Sequence, residues 1–282
     1  MTVMNRANRT NDDQKASSSE GEGVLRVTSG RVLVSEWIKL RSLRSSIWCL
    51  VVIMVALVGG SAFSAVGLLV RLDPPAAEAL AADPTGGAFA GAGLAQLAAI
   101  ALGVLVVTGE YRSKTIRPSV TAVPSRLPLV WCKAVVAAAG SMAASLIASV
   151  LALIVASAVV ATQGLSISPF TPEVARSLVG TALALGVTAA LATGFGWLLR
   201  NTAGAVFSLF ALLYLVPSFM ALLPQVVAAK VVPFLPSNAV AAMTQVTPGA
   251  GALPAWAGLT VYLGYAVVAL IAAGRVLKRH DV

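Results

Sequence analysis

The side chains that could perform chemistry in this 282-residue chain are few, and most of them flank long apolar runs. The only histidine, His280, lies near the C-terminus, so no cluster of histidine metal ligands and no histidine proton relay can be assembled. The two cysteines, Cys49 and Cys132, lack metal or redox spacing. No Gly-x-x-x-x-Gly-Lys-Ser/Thr loop is present to bind nucleotide phosphates. The sequence therefore predicts no catalytic residue, no metal site and no ATP hydrolysis by the chain itself.

Composition places the chain in a membrane. Apolar residues make up 58% of it and charged residues 11%, with a mean hydropathy of +0.87, which is too apolar for a water-soluble surface. A net charge of +9 could indicate nucleic-acid binding, but the basic residues lie beside apolar runs, where they meet anionic lipid headgroups. We therefore expect membrane lipid, and no nucleic acid, as a partner.

Six segments lack charged residues and histidine, and each is long enough to cross a bilayer of roughly 30 Å. The fourth and fifth are separated only by Arg200-Asn201, which predicts a tight helical hairpin. No acidic residue lies within the six, which argues against ion-coupled transport. The predicted fold is all-α, with six transmembrane helices: Ile47–Val70, Ala88–Thr108, Ala134–Thr162, Ser177–Leu199, Thr202–Leu223 and Leu253–Ala273.

The distribution of basic residues predicts the orientation. Of the 20 Lys and Arg residues, only Arg71, Arg176 and Lys230 fall outside if the N-terminus is inside. The positive-inside rule then places both termini in the cytoplasm. Trp48, Trp131 and Trp197 near inner ends, and Trp256 near an outer end, are expected to anchor the spans at the interfaces.

The chain divides into three parts. Residues 1–23 are polar and are expected to form a disordered cytoplasmic tail. Residues 24–46 have the spacing of an amphipathic helix lying on the inner leaflet, with Leu33, Val34, Trp37, Ile38 and Leu40 on its apolar side. Residues 47–282 form the transmembrane domain, including an inner loop at 109–133.

Small residues recur every four positions in two spans, which favours close helix packing inside the bundle. They are Gly180, Ala184, Thr188, Ala192 and Gly196 in the fourth span, and Ala137, Ser141, Ser145 and Ser149 in the third. Between the fifth and sixth spans, residues 224–251 are too apolar for an ordinary loop. They fit either a re-entrant segment or an interfacial lid, with Ser237 or Asn238 capping a short helix at Ala239–Val246.

Three motifs stand out beside the spans: Ser35-Glu36-Trp37-Ile38-Lys39-Leu40-Arg41-Ser42, the loop from Gly109-Glu110-Tyr111-Arg112 to Lys133, and Leu199-Arg200-Asn201-Thr202-Ala203-Gly204. Together they resemble the permease subunit of type-2 ATP-binding cassette (ABC) exporters of the kind found in actinobacteria. The resemblance implies that residues 24–46 are a connecting helix and that the inner loop holds a coupling helix, at Thr115–Val123, which docks on a separate ATPase. Glu110 could then pair within the loop or with the connecting helix.

The resemblance also implies roles for individual residues. Those expected to couple to the ATPase are Glu36, Lys39, Arg41, Glu110, Tyr111, Arg112, Thr115, Arg117 and Val123. A possible substrate path would involve Gln96, Phe207, Phe210 and Tyr214, although an aromatic stripe is more often a packing surface. Taken without the resemblance, the charged loop fits equally well a solvated loop that only sets topology.

The expected function is export of an unidentified substrate across a bacterial plasma membrane. The chain would form the pathway with a second permease protomer, identical or related, and two copies of a cassette ATPase would bind the ATP, so the chain needs no cofactor of its own. The alternative is a membrane partner that transports nothing, such as an immunity, assembly or regulatory subunit.

Overall fold

A computed structural model describes residues 29–71, 87, 89–113, 127–162, 171–220, 222, 224, 230–245 and 252–279. The tail and residues 24–28 lie outside this part. Every long element in the described residues is a helix. We number them α1 (Ser29–Ser42), α2 (Arg44–Arg71), α3 (Ala92–Arg112), α4 (Leu127–Ala161), α5 (Pro172–Leu199), α6 (Thr202–Met220), α7 (Pro236–Thr244) and α8 (Ala255–Arg279).

Six of these helices, α2 to α6 and α8, are long and apolar enough to cross a membrane. The chain is therefore a multi-pass membrane protein that is all-helical in the described residues, which confirms the predicted fold class. The helix α1 precedes the first span, as expected. We call the end of the bundle where α1 lies the α1 end, and the other the opposite end.

The helices run beyond the charge-free segments. Because α3 continues to Arg112 and α4 begins at Leu127, both Glu110 and Lys133 lie on membrane-spanning helices. The prediction that no acidic residue lies in a span is therefore wrong. The inner loop is also shorter than the predicted 109–133, since it begins at Ser113 and ends before Leu127. Charged residues can stay on a helix near its end when a neighbouring helix supplies the opposite charge.

The core of the bundle is α5, which packs against α3, α4, α6, α7 and α8. Its small-residue stripe is buried throughout, from Gly180 to Gly196, as is the stripe of α4 from Ala137 to Ser149. The predicted packing role of both stripes is confirmed. The hydroxyl of Ser141 on α4 also donates to the Leu185 carbonyl of α5, 3.1 Å away.

Gly103 of α3 lies where α3 and α5 approach each other closely. A Cβ there would press against the Ala189 carbonyl oxygen of α5, which is backbone and cannot rotate away. We expect Gly103→Ala to lower the free energy of unfolding by about 1–3 kcal/mol through overpacking. Thermal unfolding in detergent micelles measures this. The matched control is Gly109→Ala on the same helix, where nothing lies near the new methyl group. Equal unfolding midpoints for the two variants would contradict the expectation.

The predicted hairpin between the fourth and fifth spans is confirmed. Arg200 adopts a left-handed conformation (φ 51°), and the side chain of Asn201 caps α6 by accepting from the Gly204 amide at 3.1 Å. Trp197, expected to be an interfacial anchor, is instead buried. Its ring packs edge-on against that of Tyr111, with the ring centres 5.9 Å apart.

The segment before the last span holds a short 3₁₀ turn at Val232–Phe234 and α7. The predicted caps are wrong, because α7 begins at Pro236, earlier than expected, and Leu235 is its N-cap. Asn238 instead donates to the Val232 carbonyl at 2.6 Å, tying the turn to the helix. The helix packs against α5 and α8. Whether this segment enters the membrane stays a prediction.

Candidate functional site

One face of α1 is turned towards the bundle. Val32, Glu36 and Leu40 recur every four residues, so they share that face, and all three are buried. On the other side Val34 and Ile38 are well exposed, as suits a helix against a membrane surface. An apolar helix face thus carries a carboxylate into the interior, which is costly unless a cation meets it.

Glu36 belongs to a closed ring of four alternating charges. Lys39 Nζ lies 2.8 Å from Glu36 Oε1 and 2.9 Å from Glu110 Oε1. Lys133 Nζ lies 2.6 Å from Glu36 Oε2 and 2.7 Å from Glu110 Oε1. Each ammonium therefore contacts both carboxylates, and the ring has no net charge. It joins three helices: α1 gives Glu36 and Lys39, α3 gives Glu110 and α4 gives Lys133.

Lys133 is the most deeply buried member of this ring, with no exposed surface. Its remaining donor points to the Val106 carbonyl, 3.5 Å away. Glu110 is also buried, and its Oε2 atom has no hydrogen-bond partner among the described residues. Taking charges out of water costs several kcal/mol per ion, so the ring is tolerated only while it is complete. Separating the three helices would expose uncompensated charges.

Lys39 lies at the rim of the ring, partly exposed and outside the spans. Burial acts to lower the pKa of Lys39, but the hydrogen bonds and charges of Glu36 and Glu110 outweigh it, so the pKa is raised above 10.5. Lys39 therefore keeps its charge at neutral pH. Its contribution to stability is fully present below the unfolded-state pKa and is lost only as the pH rises through the raised value.

The last turn of α3 also contacts the hairpin between α5 and α6. Tyr111 packs against Trp197, and the guanidinium of Arg200 lies 5.7 Å from the centre of the Tyr111 ring. One turn earlier, Thr202 Oγ1 donates to Thr108 Oγ1 at 2.9 Å. The last turns of α3 therefore contact two parts of the bundle. Glu110 pairs with lysines on α1 and α4, whereas Tyr111 and Thr108 contact the hairpin.

The structure unites only some of the residues predicted to couple. Glu36, Lys39 and Glu110 belong to the ring together with Lys133, and Tyr111 lies beside it. Of the two pairings that the sequence left open for Glu110, the structure shows the one with the helix before the first span. The remaining two described residues, Arg41 and Arg112, are exposed. Three lie outside the described residues: Thr115, Arg117 and Val123. Sequence reasoning missed Lys133, which it took for a topology signal at the edge of a span.

A second polar cluster lies in the half of the bundle nearer the opposite end. Tyr214 OH lies 3.0 Å from both Gln96 Oε1 and the Gly93 carbonyl. Gln96 Nε2 is 3.5 Å from Thr188 Oγ1, which shares a 2.7 Å hydrogen bond with Tyr262 OH. Thr188 and Tyr262 are fully buried, whereas Gln96 and Tyr214 are half-buried. The cluster therefore leads from the core to the surface of α3 and α6.

Of the predicted substrate-path residues, three lie together. Phe210 stacks on Tyr214 with ring centres 5.2 Å apart, and Tyr214 reaches Gln96. Phe207 is largely exposed on α6. What the sequence missed is the buried half of the cluster, Thr188 and Tyr262, because nothing in their own spans marks them as partners of Gln96.

A turn of π-helix, Ala211–Leu215, positions Tyr214. The Val216 amide donates five residues back, to the Ala211 carbonyl. The physical signal is Pro217, which has no amide hydrogen to continue the regular ladder. Ser218 Oγ donates to the Tyr214 carbonyl at 2.8 Å, so this carbonyl oxygen of the irregular turn has a hydrogen-bond donor. Such turns occur often at functional sites.

We expect Tyr262→Phe to lower the free energy of unfolding by about 0.6 kcal/mol and by no more than about 1.7 kcal/mol, the average and the maximum for hydrogen bonds between membrane helices. The change removes the hydrogen bond between Tyr262 and Thr188 without altering the shape of the core. The control is Tyr265→Phe on the same helix, whose hydroxyl bond to Phe234 is long (3.3 Å) and exposed. Thermal unfolding in micelles should leave the control unchanged, and an equal loss in both variants would contradict the buried contact.

Comparison with known proteins identifies no relative. The chain matches no protein-family model, no curated protein and no solved structure. Among the described residues, no three His, Cys, Asp or Glu side chains come together as a metal ion would require.

Proposed function

We propose that this chain is the membrane-spanning permease subunit of an ABC exporter, powered by a separate cassette ATPase present in two copies. It would lie in a bacterial plasma membrane with both termini in the cytoplasm. A second permease protomer, identical or related, would complete the pathway. The proposal is supported by the resemblance of the three motifs and by one structural observation, the buried ring of charges.

The position of the ring carries the proposal. Its carboxylate Glu110 lies at the end of α3 and its lysine Lys133 near the start of α4, on either side of the loop between those helices. A partner that moves this loop therefore acts on both helices at once. The ring passes that movement to α1, while Tyr111 and Thr108 pass it to the hairpin of α5 and α6.

Closure of the ATPases around ATP would then displace the α1 end of the bundle as one rigid unit. Rigid-body movement of packed elements is one established way in which a protein changes between two conformations. A ligand favours one conformation only if it binds that conformation more tightly than the other. Here the ligand is ATP, and the ATPases rather than this chain would bind it more tightly in their closed state.

The second polar cluster is where we place the pathway. Gln96, Tyr214 and Phe207 face outward from α3 and α6 in the single chain. Gln96 and Tyr214 bond to each other, but polar side chains at a helix surface are still costly against hydrocarbon. A water-filled cavity is therefore the better environment for this surface. The second protomer would close that cavity.

Affinity purification from native membranes tests the proposal. A tagged chain should bring down a soluble cassette ATPase, and turnover of that ATPase should rise when both are reconstituted in liposomes. The chain alone should show no ATPase activity. Recovery of other partners with no ATPase would favour the alternative, a membrane subunit that transports nothing.

A further inference from the structure

A groove of about 340 Å³ lies at the end of the bundle opposite the ring of charges. One face of α5 forms its long wall, with Val179 and Leu183, and α7 and α8 close it with Met243 and Leu259. Gly180 lets the backbone of α7 approach α5 directly, which shapes the floor. The rim carries Arg176 and Trp256. None of the residues used by the proposed transport mechanism lines this groove.

The groove opens onto surface that faces the membrane. Val179 is 48% exposed and Trp256 72% exposed. An indole at that level is typical of the boundary between headgroups and hydrocarbon. Below that boundary no water is present to fill an apolar groove, whereas acyl chains are abundant. The wall runs from Pro172 to Leu183, about 16 Å along the helix axis. This is about half of a hydrocarbon core of roughly 30 Å, the depth reached by the chains of one leaflet.

The rim supplies a charge suited to a lipid headgroup. Arg176 Nη2 donates to the Gln245 carbonyl at 3.1 Å, which holds the guanidinium beside the groove. A guanidinium has five N–H donors and a flat geometry that matches the oxygens of a phosphate. Glu173, one turn earlier on α5, is an exposed carboxylate. The five donors of the guanidinium allow it to meet neighbouring acceptors and a phosphate at the same time. Cation and apolar groove thus lie in the order in which a phospholipid presents its phosphate and its acyl chain.

We propose that the groove between α5, α7 and α8 binds one anionic phospholipid, with an acyl chain along Val179 and Leu183 and the phosphate at Arg176. The site is independent of the proposed transport function, because it requires only that the chain be embedded in a bilayer. Bound there, the lipid would join α7 to the two spans beside it.

Native mass spectrometry of protein released from nanodiscs tests the site. The discs contain phosphatidylcholine and phosphatidylglycerol in equal amounts, and bound lipid is counted per chain. The wild-type chain should retain one phosphatidylglycerol in preference to phosphatidylcholine. Val179→Trp, which fills the groove, should lose at least tenfold of that retention. Arg176→Gln should remove the preference for phosphatidylglycerol while some lipid is still retained.

Matched variants separate this site from general lipid contact. Val268→Trp places the same indole on an exposed part of α8, and Lys230→Gln removes another exposed cation; both should retain phosphatidylglycerol as the wild type does. Inorganic phosphate at millimolar concentration should not displace the lipid, since the acyl chain supplies much of the binding. Equal retention by Val179→Trp and Val268→Trp would overturn the proposal, and so would displacement by phosphate.

A photoreactive lipid gives a test that requires no variant. Phosphatidylglycerol with a diazirine on its acyl chain should label the peptides that contain Leu183 and Met243 in the wild-type chain. Labelling spread evenly over exposed positions, such as those of α2, would show surface lipid only and would overturn the site. Since no ATPase is present in either experiment, failure here would leave the proposed transport function untouched.

Discussion

Replacing Lys133 with methionine is expected to lower the free energy of unfolding by about 3–5 kcal/mol, the cost of leaving a buried charge without its partner. Methionine fills a similar volume but removes the only cation of the ring that is completely buried. Glu36 and Glu110 then face each other with Lys39 alone, which is partly exposed, and the ring carries one net negative charge. Thermal or denaturant unfolding of the purified protein in micelles measures the loss.

Two further variants show that the loss comes from the ring. Lys230→Met removes an exposed lysine and should leave the unfolding midpoint unchanged. Adding Glu110→Gln to Lys133→Met restores a neutral ring and should recover part of the stability, because one buried carboxylate no longer lacks a cation. This double variant also keeps the test possible if the single variant cannot be purified. A midpoint for Lys133→Met equal to that of the wild type would contradict the geometry of the ring.

The spans could be predicted from the sequence because charge-free runs of this length have only one stable solution in a bilayer, a helix that satisfies its own backbone. The hairpin at Arg200-Asn201 followed for the same reason, since the two flanking runs are too long for one crossing. The stripes of α4 and α5 were predictable as well, because close helix packing needs small residues at helical spacing.

The ring was not predictable as a whole. Glu36, Lys39 and Glu110 stood out as charges beside apolar runs, but Lys133 has the same appearance as any topology-setting lysine. Only the packing of α1 and α3 against α4 shows that it faces two carboxylates. The apolar stretch from Leu127 to Cys132 is the signal that could have revealed the position of Lys133. It allows α4 to begin at Leu127 rather than after Lys133, which places Lys133 inside a span.

The buried half of the second polar cluster could not be predicted from the sequence, for a different reason. Thr188 was assigned to a packing stripe, and a threonine on such a stripe bonds to its own helix in any case, here to the Ala184 carbonyl at 2.7 Å. Its second contact, with Tyr262, depends on the rotation of α8 against α5, which the hydrophobic pattern does not determine. Pro217, by contrast, was a local signal from which the irregular turn of α6 could have been inferred.

Glu110→Gln is expected to reduce stimulation of the partner ATPase by about tenfold or more, while the ATPase still binds. Glutamine keeps the shape and one acceptor oxygen but removes the charge that both lysines share. A charge-assisted hydrogen bond contributes about 1.5–3 kcal/mol, and 1.4 kcal/mol corresponds to a factor of ten. The docking surface itself would be unaltered, because Glu110 is buried behind the loop rather than exposed on it. Turnover of the ATPase in liposomes, with and without the permease, measures the effect.

Arg112 provides the comparison for Glu110. It lies two residues further along α3, at the end of the helix, and is exposed where the loop begins. If the loop docks on the ATPase, charge reversal by Arg112→Glu should weaken co-purification, whereas Glu110→Gln should co-purify normally and fail only in stimulation. Glu173→Gln, an exposed carboxylate at the opposite end, should do neither. Full stimulation by Glu110→Gln would remove the ring from the transmission path. Because docking and transmission are separate steps in this scheme, the two α3 variants should differ in kind, and a ring that served stability alone would not produce that difference.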